Sequence, residues 1–291
     1  MNDRIPARRF LTWLTLSLVL LLGACSILQF VYNQAPKYFL WRSNRAFHYN
    51  DAQYDMAKAS MYQWFQWQRK EQLPLMASFL KRGQTDVMGE ISPALACERR
   101  DEMEGWVRAG MDQAVPLVAQ MMLTLKPEQV QHLSDYFDDQ NEDFVDDFLP
   151  EDREDRLDAA TDFVIKWIKL VYGPITDGQR EQLKADIARL PFDAAVILKQ
   201  FKRFQVSYLT LLRESQRQKW SQAQTQQRIR ALLLDMLNPA DPALNADLKR
   251  WIAAGCQAAS AFHHRTTVEQ RRAAAEQAKV WEKDFLVLST Q

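Results

Sequence analysis

Glycine is scarce in this chain, with eight in 291 residues. No glycine-rich phosphate loop and no strand-helix nucleophile elbow can be traced. Histidine is equally thin. His48, His132, His263 and His264 show no metal-binding spacing such as H-E-x-x-H, and adjacent His263 and His264 project to different sides of a helix. Alternating apolar and polar runs of strand length are missing. Net charge is missing too, because 37 basic residues balance 37 acidic ones, and nothing argues for nucleic acid as a partner. No catalytic residue, metal site or cofactor is predicted, and the chain reads as a non-enzyme.

What is present is helix-forming composition. Alanine, leucine, glutamine, glutamate and arginine dominate, which predicts an all-α, multi-helix domain of long amphipathic helices. The first residues stand apart. Arg4, Arg8 and Arg9 face one acid, Asp3, and an uncharged run follows from Phe10 to Ala24. A basic start, about 15 apolar residues and a small-residue exit form the layout of an export signal. The run is short for a membrane-spanning helix, which needs about 20 residues.

The exit reads Leu22-Gly23-Ala24-Cys25, which resembles the lipobox of bacterial lipoproteins. That resemblance implies diacylglycerol on the Cys25 thiol, cleavage before it, and acylation of the new amino group. The expected organisation is a signal peptide over 1–24, a lipidated, apolar membrane-proximal segment over 25–50, and a helical domain over 51–291. Ser26 stands where aspartate would retain such a protein in the inner membrane, so the expected address is the outer membrane, facing the periplasm. Removing residues 1–24 takes three arginines and one aspartate from 37 of each sign and leaves a net charge of −2.

No polar leash follows Cys25. Residues 26–41 carry Ile27, Leu28, Phe30, Val31, Tyr32, Tyr38, Phe39, Leu40 and Trp41 without glycine or acid. The segment is expected to be ordered, packed on the domain or the bilayer surface, with Pro36 breaking it into two short pieces. Two further cysteines, Cys97 and Cys256, are candidates for a disulfide in an oxidising compartment; the alternative is two buried thiols, since spacing in sequence does not fix their separation in space.

Helices are expected from Asp51 to Lys81 with a kink at Pro74, from Ser92 with a bend or division at Pro116, and from Pro127 to Leu149. Others run from Glu151 to Tyr172, from Asp177 to Arg189, from Asp193 to the Asn238-Pro239 break, through Leu248 to Ile252, and from Thr267 to Leu288. The stripes Leu157, Ala160, Val164, Trp167, Val171 and Ile197, Phe201, Phe204, Tyr208, Leu211 keep helical spacing and are expected to face the core. Thr176-Asp177-Gly178-Gln179 and Thr267-Val268-Glu269-Gln270 fit a capping box, and Lys126-Pro127-Glu128-Gln129 shares the frame. They represent good helix capping or the trace of a repeat.

Residues 134–162 hold thirteen acids against Arg153 and Arg156. Asp139, Asn141 and Asp143 suggest a calcium loop, but Phe144 and Pro150 fall where glycine and glutamate are required. A basic stretch follows, with Lys199, Lys202, Arg203, Arg213, Arg217, Lys219, Arg228 and Arg230. It is expected either to dock across the acidic helix or to face anionic lipid or a partner.

Cys25, Tyr32-Asn33, Pro36, Trp41, Asp51-Ala52-Gln53, Trp67-x-Arg69, Glu71-x-Leu73-Pro74, Tyr172-Gly173, Gln179 and Pro191-Phe192-Asp193 resemble the pattern of a proteobacterial lipoprotein family, domain of unknown function 6279. Asn44 departs from it, standing where that family has an acid. The resemblance implies an envelope lipoprotein and no established activity. A smaller likeness, Ile175-Thr176-x-x-Gln179, is to periplasmic helical chaperones with Leu-Thr-x-x-Gln helix starts. The expected function is a lipid-anchored, non-enzymatic interaction or chaperone-like module with envelope protein partners. A carrier for a small hydrophobic ligand is the alternative.

Overall fold

The computed structural model describes residues 27–191 and 194–291. The signal segment, Cys25, Ser26 and Phe192-Asp193 lie outside those residues. Every regular element described is helical, and there is no strand among the described residues. None of these helices is long and apolar enough to cross a membrane.

The first helix, α1 (Ile27–Phe47), runs unbroken through Pro36, where the sequence predicted two pieces. Proline inside a helix forfeits a hydrogen bond and crowds the preceding turn, a loss of about 3 kcal/mol. Tertiary packing holds it: Gln29, Pro36, Leu40 and Ala46 are buried on the inner face. Asn44 closes the helix end by accepting the Tyr49 amide at 3.1 Å.

Next come α2 (Asp51–Trp67), a π-helical turn (Gln68–Gln72) and α3 (Leu73–Asp86). Ahead of Pro74, where a kink was expected, the chain widens into this π turn, with the Leu73 amide donating to the Gln68 carbonyl; such turns let a helix accommodate a proline. α4 (Pro93–Met122), capped by Ser92, absorbs Pro116 without dividing. α5 (Pro127–Phe148) and α6 (Arg153–Tyr172) follow, and Gly173, at φ 75°, ends α6 in a conformation that favours glycine.

α7 (Asp177–Ile187), α8 (Ala194–Gln218), α9 (Gln222–Leu237), α10 (Pro242–His264) and α11 (Val268–Ser289) complete the chain. The predicted long helix up to Asn238 is therefore two. Lys219 turns left-handed at φ 51°, Trp220 is buried, and Ser221 with Gln224 caps a fresh start. The charged and glutamine-rich run hides this break because none of its residues is a helix breaker.

α11 lies along α3 and also touches α6 and α1; α4 is flanked by α9 and α10; α5 crosses α8 and α1. The main core gathers Leu40, Val115, Ala119, Met122, Leu133 and Leu212, and a smaller cluster joins Ile165, Leu183 and Phe262. Cys97 on α4 and Cys256 on α10 form a disulfide with Cα atoms 5.4 Å apart.

Candidate functional site

Each of the two stripes expected in the core has one member in solvent, while Val164 on α6 and Tyr208 and Leu211 on α8 join the core clusters. On α6 the inner face is taken by Thr161 and Ile165, one step round from the expected one. Trp167 is 56% exposed and Phe163 49%. On α8, Phe201 is 44% exposed while Leu209 and Leu212 are buried. Periodicity was read correctly, but α6 is apolar on more than one side, and only packing decides which side is inner.

These exposed rings are not scattered. Trp167 contacts Phe163 at 6.3 Å between centroids, Phe163 contacts Phe148 at 5.7 Å, Phe148 contacts Phe144 at 5.0 Å, and Phe144 contacts Phe201 at 5.8 Å. The result is one aromatic band crossing α6, α5 and α8. At Phe201 it meets an apolar cleft of about 350 Å³ that includes Ile197, Phe204, Leu244, Leu248 and Trp251. Glu142, Asp146 and Asp147 on α5 are exposed.

The acidic and basic stretches meet without pairing. α5 and α8 dock, but through neutral groups: the Asn141 and Gln205 amides exchange two hydrogen bonds of 2.9 and 3.1 Å. The α6 acids turn elsewhere. Lys184 on α7 binds Glu154 at 2.5 Å and Asp158 at 2.8 Å, and Arg180 binds Asp162 at 2.5 Å. Its hydrogen bond to Lys184 holds the Asp158 carboxyl below the usual carboxylate range. On α8, Lys199, Lys202, Arg213 and Arg217 are exposed and make no ion pair within the 4 Å limit among the described residues. Asn141, a member of the calcium-loop match, is buried on Gln205. No group of three or more His, Cys, Asp or Glu among the described residues is arranged to hold a metal ion.

The capping glutamines do more than cap. Thr176 and Gln179 form the box at α7, and Thr267 and Gln270 the one at α11. The two glutamines then face each other: each Nε2 donates to the other's Oε1, at 2.8 and 3.0 Å. The second proton of Gln179 goes to the Arg265 carbonyl at 2.9 Å, and that of Gln270 to the Pro174 carbonyl at 2.8 Å. Each oxygen also accepts the amide of its own cap residue. Every donor and acceptor of both side chains is thereby used.

A second clasp repeats this geometry at α2 and α5. Gln53 and Gln129 exchange bonds of 3.0 and 2.8 Å, and their remaining protons reach Thr124 on one side and Phe47 and His48 on the other. Here the caps are Asn50 and Lys126. Lysine offers no acceptor, so only the glutamine half of that box operates. The frames Asn50-Asp51-Ala52-Gln53 and Ser221-Gln222-Ala223-Gln224 carry the same cap-x-x-Gln signal as the three expected frames, but were not among the expected capping frames. The pairing of the glutamines was not legible either.

His263 backs the Gln179–Gln270 clasp. It is 1% exposed. Its Nε2 donates to the Gly89 carbonyl at 3.0 Å, which leaves Nδ1 to accept from the Tyr172 hydroxyl at 3.0 Å. Burial pulls its pKa below the usual value. His48 stacks on His132 at 3.6 Å. The ring of His264, 6.4 Å from that of His263, lies near Glu90.

A further hollow of about 380 Å³ lies between α1, α2 and α4. Its lining is almost wholly apolar and includes Phe47, Met61, Trp64, Phe65 and Met121, with the ring of Tyr208 at one side. Burial pushes the Tyr49 hydroxyl there up to about 12, and raises that of Tyr208 as well.

The profile of a family of unknown function, DUF6279, matches residues 47–237. The chain belongs to the DUF6279 family. The match takes in the Gln53–Gln129 clasp, the aromatic band and Gln179, and leaves α1 up to Ala46, α10 and α11 outside it. No curated protein and no solved structure was found to match this DUF6279 chain.

Proposed function

We propose that this protein is a lipoprotein of the bacterial cell envelope, held on the outer membrane through acylated Cys25 and facing the periplasm. Its helical domain acts there without catalysis, as an interaction or chaperone-like module. The observation that carries the second part is the aromatic band from Trp167 to Phe201. A contiguous apolar patch of a few hundred Å² with a polar rim is the mark of a docking surface. The many exposed acids of α5 favour segments that combine apolar with basic side chains.

The test is suppression of aggregation of a denatured client by the purified protein, followed by light scattering. Wild type is expected to suppress it at near-stoichiometric ratios, and Phe163→Ser/Trp167→Ser/Phe201→Ser to lose the effect with its helical circular dichroism intact. Equal suppression by both would contradict the reading. A second reading, carriage of a small hydrophobic ligand, draws on the apolar hollow of about 380 Å³ beside Trp64 and Tyr208, a volume within the range of ligand sites. Saturable binding of a fluorescent fatty acid, lost on Ala114→Phe, would favour it.

A further inference from the structure

α1 is apolar on both sides, and the two sides have different fates. Gln29, Pro36 and Leu40 lie on the inner face and are buried against the domain. Ile27, Phe30, Val31, Tyr38 and Trp41 recur at three- and four-residue steps on the opposite face. Ile27 is 82% exposed and Phe30 63%, and the other three are more than half exposed. Three half-exposed aromatic side chains at about 100 Å² each, with Ile27 and Val31 added, form a patch of several hundred Å². Nothing among the described residues covers it. A helix that is hydrophobic all round calls for cover all round.

Charge and position name the cover. α1 contains Lys37, Arg42 and Arg45 and no acid. Arg42 reaches Gln140 on α5 at 2.7 Å, whereas Lys37 and Arg45 are exposed on the outward side, and the Arg45 guanidinium sits 6.0 Å from the Trp41 ring. Basic side chains flanking tyrosine and tryptophan suit the boundary between headgroups and acyl chains. The uncharged run from Phe10 to Ala24 ends three residues before α1 begins.

We infer that the outward face of α1 lies flat in the surface of an anionic bilayer, with Ile27, Phe30, Val31, Tyr38 and Trp41 at the headgroup–acyl boundary and Lys37 and Arg45 on lipid phosphates. Such a helix lies on the membrane rather than spanning it. Because Gln29 donates to the buried Asp284 of α11 at 2.8 Å, and Arg69 bonds both Asn33 and the Leu288 carbonyl, the helix is clamped to the domain at its N-terminal end. The domain is then held in one orientation rather than swinging on a lipid.

The inference takes from the proposed function only that the segment before α1 enters a membrane. Its test is separate from acylation and from client binding. The full chain carrying a nitroxide on Val31→Cys or Tyr38→Cys is reconstituted in vesicles of phosphatidylcholine with phosphatidylglycerol. Val268→Cys, at the far end of α11 and about 24 Å along that helix from Asp284, is the reference. Collision with oxygen relative to a nickel chelate is expected to be several-fold higher at positions 31 and 38 than at 268, and to fall when phosphatidylglycerol is left out. Chelate access at 31 and 38 equal to that at 268 would overturn the inference. An unchanged ratio without anionic lipid would overturn the role given to Lys37 and Arg45.

Discussion

Replacing Gln270 by alanine should damage the fold far more than losing one helix cap. In the structure its side chain makes four hydrogen bonds to three partners: two with Gln179, one to the Pro174 carbonyl and one from the Thr267 amide. Truncation leaves two donors stranded in a buried site, one proton on Gln179 Nε2 and the Thr267 N–H. Each unsatisfied buried polar group costs about 1–3 kcal/mol, so Gln270→Ala should lose about 2–5 kcal/mol. Gln224 supplies the control. It completes a capping box with Ser221 in the same way, yet it is exposed and faces no second glutamine, so Gln224→Ala should cost no more than about 1 kcal/mol. Thr267→Ala, which removes the cap alone, belongs in that lower class. A cycle with Gln179→Ala adds a sharper criterion. Once one glutamine is gone the other has lost its partner, so the double variant should cost less than the two single losses added, with a coupling of about 1–3 kcal/mol. Urea midpoints followed by circular dichroism, with the disulfide intact, give all these values. Gln270→Ala indistinguishable from Gln224→Ala, or strictly additive losses in the cycle, would refute the clasp as a coupled unit.

Other consequences follow from the same geometry. The Cys97–Cys256 bond closes a separation of 159 residues, so the Cys97→Ser/Cys256→Ser variant should lose about 2–5 kcal/mol against the oxidised protein, read as a lower urea midpoint. Burial holds the His263 pKa below its ordinary 6.5, so the unfolded chain binds that proton first. Its contribution is complete above the unfolded value and declines as pH falls through it towards the folded one. Stability should therefore drop as pH falls below 6.5, and His263→Gln should flatten that drop; an equal drop in both proteins would contradict the assignment.

Local chemistry made the helix starts legible. Ser92-Pro93, Thr176 and Thr267 sit where caps were expected, and Gly173 stops α6 because only a positive φ continues the chain there. Breaks driven by tertiary packing were not legible. Pro36 stays helical because its neighbours are buried, and Lys219 breaks a helix that its own residue type does not break. The α6 stripe is half-buried except at Trp167, because Phe163, Trp167 and Leu170 make the outward side as apolar as the buried one. For the candidate site, Gln129, Gln179 and Gln270 were visible in their frames and Gln53 was not, and partnership between residues 53 and 129, or 179 and 270, depends on how distant helix ends meet. The acid-rich and base-rich stretches misled in the opposite sense. They suggested ion pairing, where α5 and α8 join through the Asn141 and Gln205 amides.

The account rests most heavily on Cys25 as the point of attachment. Mass spectrometry of the N-terminal peptide, released from protein purified out of native membranes, reads that directly. The account predicts a peptide beginning at Cys25 and carrying a thioether-linked diacylglyceryl group with an acylated α-amino group, and predicts that Cys25→Ser leaves the uncleaved chain from Met1 without lipid. An unmodified Cys25, in a chain cut elsewhere or not at all, would contradict it.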